Sequence, residues 1–342
     1  MMKKRLAAAL CALVMAFSLS ACSGSGTSSS APAETSGSAS AASSEAEAYT
    51  PTGEFNIRVF NAAGGICDTV TRIAAQGLQE QYGVTAIVNN LTGANGAVAA
   101  ADMDTYDPSI NELSVVSMSL FTMGPLMTPE LNIDIDNYEM VGSLIRDEFV
   151  LLVSKDSGIK SWDDLVAYGQ ENQIIYGSNA PGGGTHLIQI ALFGDAGLNA
   201  QALTSDGSNK DILAVMSGDA ICTAATISLA ATYVESGDLI PIAVFSDEPY
   251  TGFEGYDEVP TVPSLGYDIT IPSYNFIITR AGVPEEEVKG LYDAILAYRE
   301  TDSFKEAAAA ANYTPDNTDG ETLRSEIEHY AEVSKEIFDK YY

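Results

Sequence analysis

A run of three consecutive glycines is the feature that most constrains how this chain can fold. It lies in the stretch Tyr176-Gly-Ser-Asn-Ala-Pro-Gly-Gly-Gly-Thr-His186, between a short apolar segment and a helical pattern of apolar residues. Glycine and proline at this density let the backbone turn tightly and approach another group closely. A glycine loop that opens a helix also presents unpaired N–H groups at the positive end of the helix dipole, so the stretch predicts an anion site.

A second stretch repeats this pattern near the start of the chain. Phe60-Asn-Ala-Ala-Gly-Gly-Ile-Cys-Asp68 also follows an apolar segment and precedes a helical pattern. Both stretches contain Asn-Ala-x-Gly-Gly, at residues 61–65 and at residues 179–183, about 118 positions apart. One such loop alone is equally well explained as an ordinary strand-to-helix turn. Because there are two, we predict two similar lobes that each contribute half of one site. We call residues 61–68 the first glycine loop and residues 179–186 the second glycine loop.

The first residues have the pattern of a bacterial lipoprotein signal. Lys3, Lys4 and Arg5 precede an apolar stretch that is too short to span a membrane stably. Leu19-Ser-Ala-Cys22 then resembles a lipobox, which implies removal of residues 1–21 and lipid attachment to Cys22. Ordinary secretion with cleavage nearby is the alternative. Residues 22–49 are rich in Ser, Ala and Gly and are predicted to form a flexible tether.

The charge of the chain excludes several classes of partner. The formal net charge is −31 at pH 7, so nucleic-acid binding, which needs a basic surface, is not expected. The field of such a chain repels an anionic ligand as well. Salt screens that repulsion beyond about 8–10 Å, so local N–H groups can still bind an anion within a cleft.

The sequence predicts neither a metal site nor a cofactor. His186 and His329 are the two histidines, and no metal-ligand spacing occurs. Beyond the signal and Cys22, the cysteines are Cys67 and Cys222, which do not make a disulfide framework; a bridge between them is left open but not favoured.

Strand and helix patterns alternate from residue 55 onward, which predicts an α/β fold with mostly parallel sheets. A helix over residues 70–82 ends at Gly83, Ser161 caps another, and Pro284 opens a third. Residues 248–272 are predicted to form a long surface excursion, and the remaining chain is predicted to be a strand followed by helices.

The order of these motifs resembles the substrate-binding proteins of the tripartite tricarboxylate transporters, the Bug receptors. The resemblance rests on both glycine loops, on Thr92-Gly-Ala-Asn-Gly96, on Gly237-Asp-Leu-Ile-Pro-Ile-Ala-Val244 and on Val259-Pro-Thr-Val-Pro263. It implies a two-lobe, periplasmic-binding-protein-like fold, with a ligand cleft between lobes that two crossing strands join. Lobe 1 is expected at residues 50–150 plus 275–342, and lobe 2 at residues 151–274.

The resemblance also implies that the glycine loops bind a carboxylate through backbone N–H groups and ordered waters. The ligand-binding residues it predicts are Phe60, Asn61, Ala63, Gly64, Gly65, Asp68, Ser178, Asn179, Gly182, Gly183, Gly184, Thr185 and His186. Asp68 either contacts a ligand's ammonium group, as in relatives that bind amino acids, or caps the first helix. Thr185 is a candidate hydroxyl donor to the carboxylate. His186 is expected to orient its loop more than to touch ligand.

The function predicted from these features is a lipid-anchored extracytoplasmic receptor that delivers a small carboxylate to a membrane permease. A receptor of the same fold that presents its ligand to a membrane kinase is an alternative. A secreted hydrolase, with Ser178 or Thr185 as nucleophile and His186 as base, is a weaker one, because no Gly-x-Ser-x-Gly elbow occurs and no orienting acid is identifiable. Four arginines are candidate carboxylate partners, although pairing with the chain's own acids is expected for them: Arg58, Arg72, Arg146 and Arg280.

Overall fold

Two five-stranded sheets form the frame of the protein. A computed structural model describes residues 49–205, 207–311 and 313–342, so the predicted signal peptide, Cys22 and nearly all of the tether lie outside the described residues. The strands are β1 Glu54–Val59, β2 Thr85–Asn90, β3 Glu112–Ser117, β4 Tyr138–Asp147, β5 Phe149–Ser154, β6 Ile174–Ser178, β7 Ala200–Thr204, β8 Cys222–Thr226, β9 Leu239–Val244 and β10 Ser273–Arg280. The first sheet has the order β2-β1-β3-β10-β4, and the second has the order β7-β6-β8-β5-β9.

Helices follow most of the strands, as the alternating pattern predicts. They are α1 Ile66–Tyr82, α2 Ala97–Met103, α3 Ser119–Thr122, α4 Gly124–Met127, α5 Trp162–Glu171, α6 Gly184–Asp195, α7 Ser208–Ser217, α8 Ile227–Glu235, α9 Glu285–Arg299, α10 Asp302–Ala310 and α11 Gly320–Tyr341. The α/β class is confirmed. Both sheets, however, are mixed rather than mostly parallel.

The antiparallel pairings arise where the chain crosses between the sheets. β1 runs parallel to β2 and β3, and β6 runs parallel to β7 and β8. The antiparallel pairs all involve β10 in the first sheet or β5 in the second. Each of these two strands follows a crossing from the other sheet, so it does not arise from the strand-helix-strand units that predict parallel pairing.

The first crossing is a single residue, Glu148, between β4 and β5. It is fixed by Asp147, whose carboxylate accepts hydrogen bonds from the backbone N–H and the hydroxyl of Ser228 in α8. Burial raises the pKa of Asp147 in spite of these donors. β4, the edge strand of the first sheet, is therefore attached directly to α8, a helix beside the second sheet.

The second crossing, residues 245–272, contains the predicted surface excursion 248–272, which is only partly exposed. Phe253, Val259 and Val262 are all buried. Val259 exchanges backbone hydrogen bonds with Tyr250, which folds the segment back onto itself. Its apolar residues are too widely spaced for a periodic pattern, so only tertiary packing shows that they belong to the core.

One apolar cluster contains residues of both sheets. It includes Val116 and Phe276 from the first sheet, Leu151 and Val153 from the second, and Leu323 from α11. The described residues accordingly belong to one compact unit. The lobe boundaries inferred from the resemblance stay a prediction.

Several helix ends agree with their predicted signals. The Ser161 hydroxyl accepts the N–H of Asp164 at 3.2 Å, and Gly83 ends α1 in the left-handed conformation. Pro284 lies one position earlier than predicted, as the N-cap of α9. The helix predicted from residue 70 begins at Ile66, and Asp68 in its first turn accepts the N–H of Gly64.

Some structural absences also bear on the predictions. Cys67 and Cys222 are both buried and free. In residues 49–205, 207–311 and 313–342, no helix is long and apolar enough to cross a membrane. The same ranges contain no group of three His, Cys, Asp or Glu side chains arranged to hold a metal ion.

Candidate functional site

The two glycine loops have the same backbone conformation. Gly64 and Gly182 are both left-handed, with φ of +85° and +72°. The next residues, Gly65 and Gly183, are both extended N-caps, with φ/ψ of −78°/168° and −70°/163°. The left-handed position explains the first glycine of each pair, since a side chain there is strained. The sequence repeat is thus also a structural repeat.

Each loop is held by a side chain four residues beyond its left-handed glycine. The N–H of Gly64 donates to Oδ2 of Asp68 at 2.9 Å. The N–H of Gly182 donates to Nδ1 of His186 at 3.3 Å. Asp68 and His186 are therefore equivalent in the repeat, although one is a carboxylate and the other an imidazole.

The first residues of both helices leave their N–H groups available. In the described part of the chain, the N–H groups of Ile66 and Cys67 in α1 have no acceptor. The equivalent N–H groups of Gly184 and Thr185 in α6 also have none. These are the first two donors of each helix, at the positive end of its dipole. The arrangement can bind an anion at each loop without a charged side chain.

In the first loop, Asp68 already has a full set of donors. The side chain is 4 % exposed and accepts from Arg72, from Asn90 and from the N–H of Gly64. Burial by itself raises the pKa of Asp68, but these hydrogen bonds outweigh it, so the net shift is downward. Asn90 also donates to the carbonyl of Asn61. The Asp68 carboxylate is thus engaged by groups of its own half of the chain, and it accepts the N–H of Gly64, the residue before the N-cap Gly65.

In the second loop, Thr185 and Asn179 are bonded to each other. The Thr185 hydroxyl donates to Oδ1 of Asn179 at 2.6 Å and accepts the Asn179 N–H at 3.3 Å. The Asn179 amide also donates to the hydroxyl of Ser208 at 3.3 Å. The Thr185 hydroxyl is thus directed within its own loop, and its N–H, rather than its hydroxyl, is left available.

His186 lies beneath the second loop rather than beside it. The side chain is buried, and its Nδ1 is also hydrogen-bonded to the hydroxyl of Tyr342. Burial lowers the pKa of His186, so the neutral ring is the favoured form. A neutral ring has a lone pair on Nδ1 for the Gly182 N–H, which agrees with the expected role of loop support.

A third loop connects the two glycine loops. It contains Asn95, which is left-handed with φ of +53° and donates from Nδ2 to the carbonyl of Pro181 at 3.2 Å. Next to it, a Cβ placed on Gly96 would lie 3.5 Å from Cβ of Phe60. The loop thus contacts the residue before the first glycine loop on one side and the second glycine loop on the other. Its sequence motif was visible, but nothing in it singled out Asn95.

Met127 of α4 also contacts the second glycine loop. A Cβ placed on Gly182 would lie only 2.9 Å from Cγ of Met127. The second loop is therefore covered by residues of the first sheet's half of the chain, and Gly182 is buried, whereas Ala63 and Gly64 in the first loop are exposed. No pattern in the sequence identifies this methionine.

The other predicted site residues have different surroundings. Ser178, at the end of β6, is fully buried, and its hydroxyl has no hydrogen-bond partner in the described residues. The four candidate arginines all pair with carboxylates of the chain. The pairs are Arg58 with Asp102 and Glu112, Arg72 with Asp68, Arg146 with Glu148, and Arg280 with Asp104.

Residues 70–341 match the model of the tripartite tricarboxylate transporter family receptor. The chain belongs to this receptor family. Receptors of this family are solute-binding proteins that act outside the cytoplasm, which gives the location of this receptor.

Curated relatives cover most of the receptor. A UPF0065 protein of Cupriavidus necator is 27 % identical over 258 residues, which span 74 % of this chain and 76 % of the relative. Protein BugT of Bordetella pertussis is 24 % identical over 289 residues, which span 80 % and 86 %.

Solved structures share the fold. A Rhodopseudomonas palustris protein with adipate has a TM-score of 0.75 at 20 % identity, over 85 % of this chain and 97 % of that one. The periplasmic binding protein BugD has a TM-score of 0.73 at 19 % identity, over 85 % and 98 %. MatC of Rhodopseudomonas palustris with bound malate has a TM-score of 0.71 at 17 % identity, over 84 % and 99 %.

Proposed function

We propose that this receptor binds a small carboxylate between its glycine loops and delivers it to a tripartite membrane permease. The single observation that carries the proposal is the repeated turn. At Gly64 and again at Gly182, the backbone N–H donates a hydrogen bond to a side chain. In each case the first two N–H groups of the following helix have no acceptor among the described residues. Solved relatives with adipate and with malate support a carboxylate as the ligand class.

Backbone donors, rather than a guanidinium, are expected to meet the ligand's charge. Arg72, the arginine nearest the first loop, is bonded to Asp68 and Asn90. The side chains bonded to the second loop include His186, whose neutral form is favoured, and the uncharged Asn95, Ser208 and Gln189. Fixed N–H dipoles interact strongly with a carboxylate where water is excluded, even in a chain whose net charge is −31.

The ligand is expected to be a carboxylate without an ammonium group. An ammonium ion would need an accessible acceptor, and the Asp68 carboxylate is buried and already bonded to Gly64, Arg72 and Asn90. The unpaired hydroxyl of Ser178 supports a further polar contact, to the ligand or to a water beside it.

Binding is expected to favour a closed form of the receptor. The second glycine loop follows β6 of the second sheet, whereas Asn95 follows β2 of the first, so the Asn95–Pro181 hydrogen bond joins the two halves. A ligand that contacts both loops binds the closed form better and shifts the population toward it. The permease would then distinguish loaded from empty receptor by the arrangement of the two halves.

The predicted anchor complements this role. Lipid attachment at Cys22, with residues 23–49 as a tether, would keep the receptor at the membrane while letting it reach the permease.

The hydrolase alternative has less support, because the Thr185 hydroxyl bonds Asn179 and His186 Nδ1 bonds Gly182. Transport and sensing are distinguished by uptake of ligand into vesicles that contain the permease subunits.

Calorimetric titration of the chain from residue 50 onward tests the ligand class. We expect binding to at least one of malate, adipate and citrate, and none to glutamate or aspartate. Absence of binding to every carboxylate by folded protein contradicts the proposal, and preference for an amino acid contradicts the assignment of Asp68.

A proline substitution tests the backbone donors directly. Ile66→Pro removes one N–H at the first position of α1, where proline is tolerated and the preceding Gly65 is already extended. Ile66→Ala is the matched control, because it removes the same packing and keeps the N–H. We expect Ile66→Pro to bind the carboxylate about 10-fold or more weakly than Ile66→Ala, since a hydrogen bond to a charged group contributes about 1.5–3 kcal/mol. Equal affinities would show that this donor does not bind the ligand.

A further inference from the structure

The last helix, α11, is attached at its beginning to the first sheet. Asp319, just before the helix, forms a β-bridge with Gly142 in β4. One turn further on, Arg324 donates to the carbonyl of Ile135 at 3.1 Å. The hydroxyl of Tyr274 in β10 donates to Oε2 of Glu326 at 2.7 Å. The first half of α11 is therefore attached to the first sheet.

The same helix ends on α6, the helix that the second glycine loop opens. Asp195, the last residue of α6, is bonded to both Lys340 and the hydroxyl of Tyr341. The ring of Tyr341 lies against Gly194, where a Cβ would come within 2.2 Å of it. With 22 residues at about 1.5 Å each, α11 is roughly 33 Å long. It reaches from β4 of the first sheet to α6 beside the second sheet.

Tyr342, the residue after α11, contacts the second glycine loop itself. Its hydroxyl is hydrogen-bonded to Nδ1 of His186, and the two rings meet edge to face at 5.5 Å. The ring also stacks on Phe338 of α11 at 5.0 Å. Burial raises the pKa of Tyr342 to about 12, although a hydrogen bond from the Gly182 N–H opposes the shift. The hydroxyl therefore keeps its proton at neutral pH, and it meets both Nδ1 of the imidazole and the N–H of Gly182.

We propose that Tyr342 is a positioning residue for the second glycine loop and acts through His186. The inference rests on the proposed function, because it concerns the same anion-binding turn. In this proposal the Tyr342 hydroxyl holds the imidazole and also meets the N–H of Gly182, which the imidazole accepts. These bonds set the direction of the adjacent N–H groups of Gly184 and Thr185, which have no acceptor among the described residues.

The two loops differ in where their support comes from. Asp68 is held by Arg72 and Asn90, which belong to the same half of the chain as the first loop. His186 is held by a residue at the end of a helix that begins on the other sheet. The orientation of the second loop consequently depends on how the two sheets are arranged, which couples carboxylate binding to the closed form.

Two neighbouring tyrosines provide a matched test. Tyr342→Phe removes the hydroxyl that meets His186 and keeps the ring. Tyr341→Phe removes the hydroxyl that meets Asp195, away from the loop. With malate and adipate as probes, we expect Tyr342→Phe to weaken binding about three- to tenfold, as for loss of one hydrogen bond, and Tyr341→Phe to change it less than twofold. Equal effects of the two variants would overturn the proposal.

A double-mutant cycle then tests the path through His186. In the background of His186→Ala, or of His186→Asn if the alanine variant does not fold, Tyr342→Phe should have a much smaller effect on affinity than in the wild type. Additive effects would show that Tyr342 acts independently of His186.

The ligand-free protein allows the proposal to be judged apart from the proposed function. In a ¹H–¹⁵N correlation spectrum, we expect the Gly182 amide resonance to shift in Tyr342→Phe and to stay in place in Tyr341→Phe. An unchanged Gly182 resonance in Tyr342→Phe would overturn the proposal even if malate or adipate binds. Failure of every carboxylate to bind, with the resonance shifted, would overturn the proposed function and leave the support of the loop by Tyr342 established.

Discussion

Asp68 and His186 occupy equivalent positions in the two glycine loops, and each accepts the N–H of the glycine four residues before it. The two acceptors respond to acid differently. The pKa of Asp68 is lowered by its donors, so it is ionised at neutral pH, whereas the pKa of His186 is lowered by burial, so its neutral form is favoured. One repeated turn is thus completed by a charged acceptor in one half of the protein and by a neutral acceptor in the other.

Acid should destabilise the fold through His186. Its pKa is lower in the folded protein than the ordinary value of about 6.5, so the unfolded chain takes up the proton first. The free energy of unfolding should therefore fall as the pH drops below about 6.5, until the folded pKa is reached. His186→Asn retains a neutral acceptor that cannot be protonated, so it should lack this component in urea unfolding between pH 7.5 and 5. His329→Asn, at an exposed histidine, is the control. Parallel pH profiles for the wild type and His186→Asn would contradict the prediction.

Asp68 should stabilise the fold at neutral pH and not in strong acid. Because its pKa is lowered on folding, its contribution is present above the unfolded value of about 3.9 and is lost as the pH falls through the folded pKa. We expect Asp68→Asn to lower the free energy of unfolding by about 1–3 kcal/mol at pH 7, because it weakens the bonds to Gly64, Arg72 and Asn90. Chemical denaturation at pH 7 and at pH 3 measures the difference. An equal loss at both values would show that the charge of Asp68 is not what matters.

Alanine at the two left-handed glycines should have unequal effects. Gly64→Ala meets no atom within 4 Å and should cost about 1–2 kcal/mol from backbone strain alone. Gly182→Ala has the same strain and also places Cβ 2.9 Å from Met127, so it should cost about 1–3 kcal/mol more. Thermal or urea unfolding gives both values. Adding Met127→Ala to Gly182→Ala should recover part of the extra cost, and no recovery would mean that Met127 does not cover the loop.

Asn95 should affect binding through closure of the two halves. Asn95→Gly removes the hydrogen bond to Pro181 and tolerates the left-handed backbone at this position. We expect carboxylate affinity to fall by about two- to tenfold, the effect of losing one hydrogen bond that joins the two halves. Asn132→Gly, at another left-handed asparagine, controls for the change in backbone freedom. Unchanged affinity in Asn95→Gly would exclude a role of this bond in closure.

Local features of this protein were predictable because they depend on neighbouring residues. The left-handed glycines, the helix starts after them, the Ser161 cap and the end of α1 at Gly83 all follow from residues within one turn of each other. The repeat of Asn-Ala-x-Gly-Gly was enough to predict two similar turns, and the resemblance of the ordered motifs was enough to predict the receptor family.

Features that depend on distant residues were not predictable in this way. The mixed sheets arise from β5 and β10, whose direction depends on crossings between the sheets rather than on any local pattern. The composition of residues 248–272 predicts a surface location, whereas tertiary packing buries apolar residues of this segment such as Phe253.

The glycine loops show most clearly which features follow from neighbouring residues and which depend on the tertiary structure. By itself, the sequence determined that both loops turn, open helices and expose backbone donors, because these properties belong to glycine and to the helix start. Only the tertiary structure decided which groups the loops use for support. Asp68 is bonded to Asn90, 22 residues away, Asn95 to Pro181, 86 residues away, and His186 to Tyr342, 156 residues away. A side chain's hydrogen bonds depend on which groups the folded chain brings within reach, and no local pattern specifies a partner at such a separation.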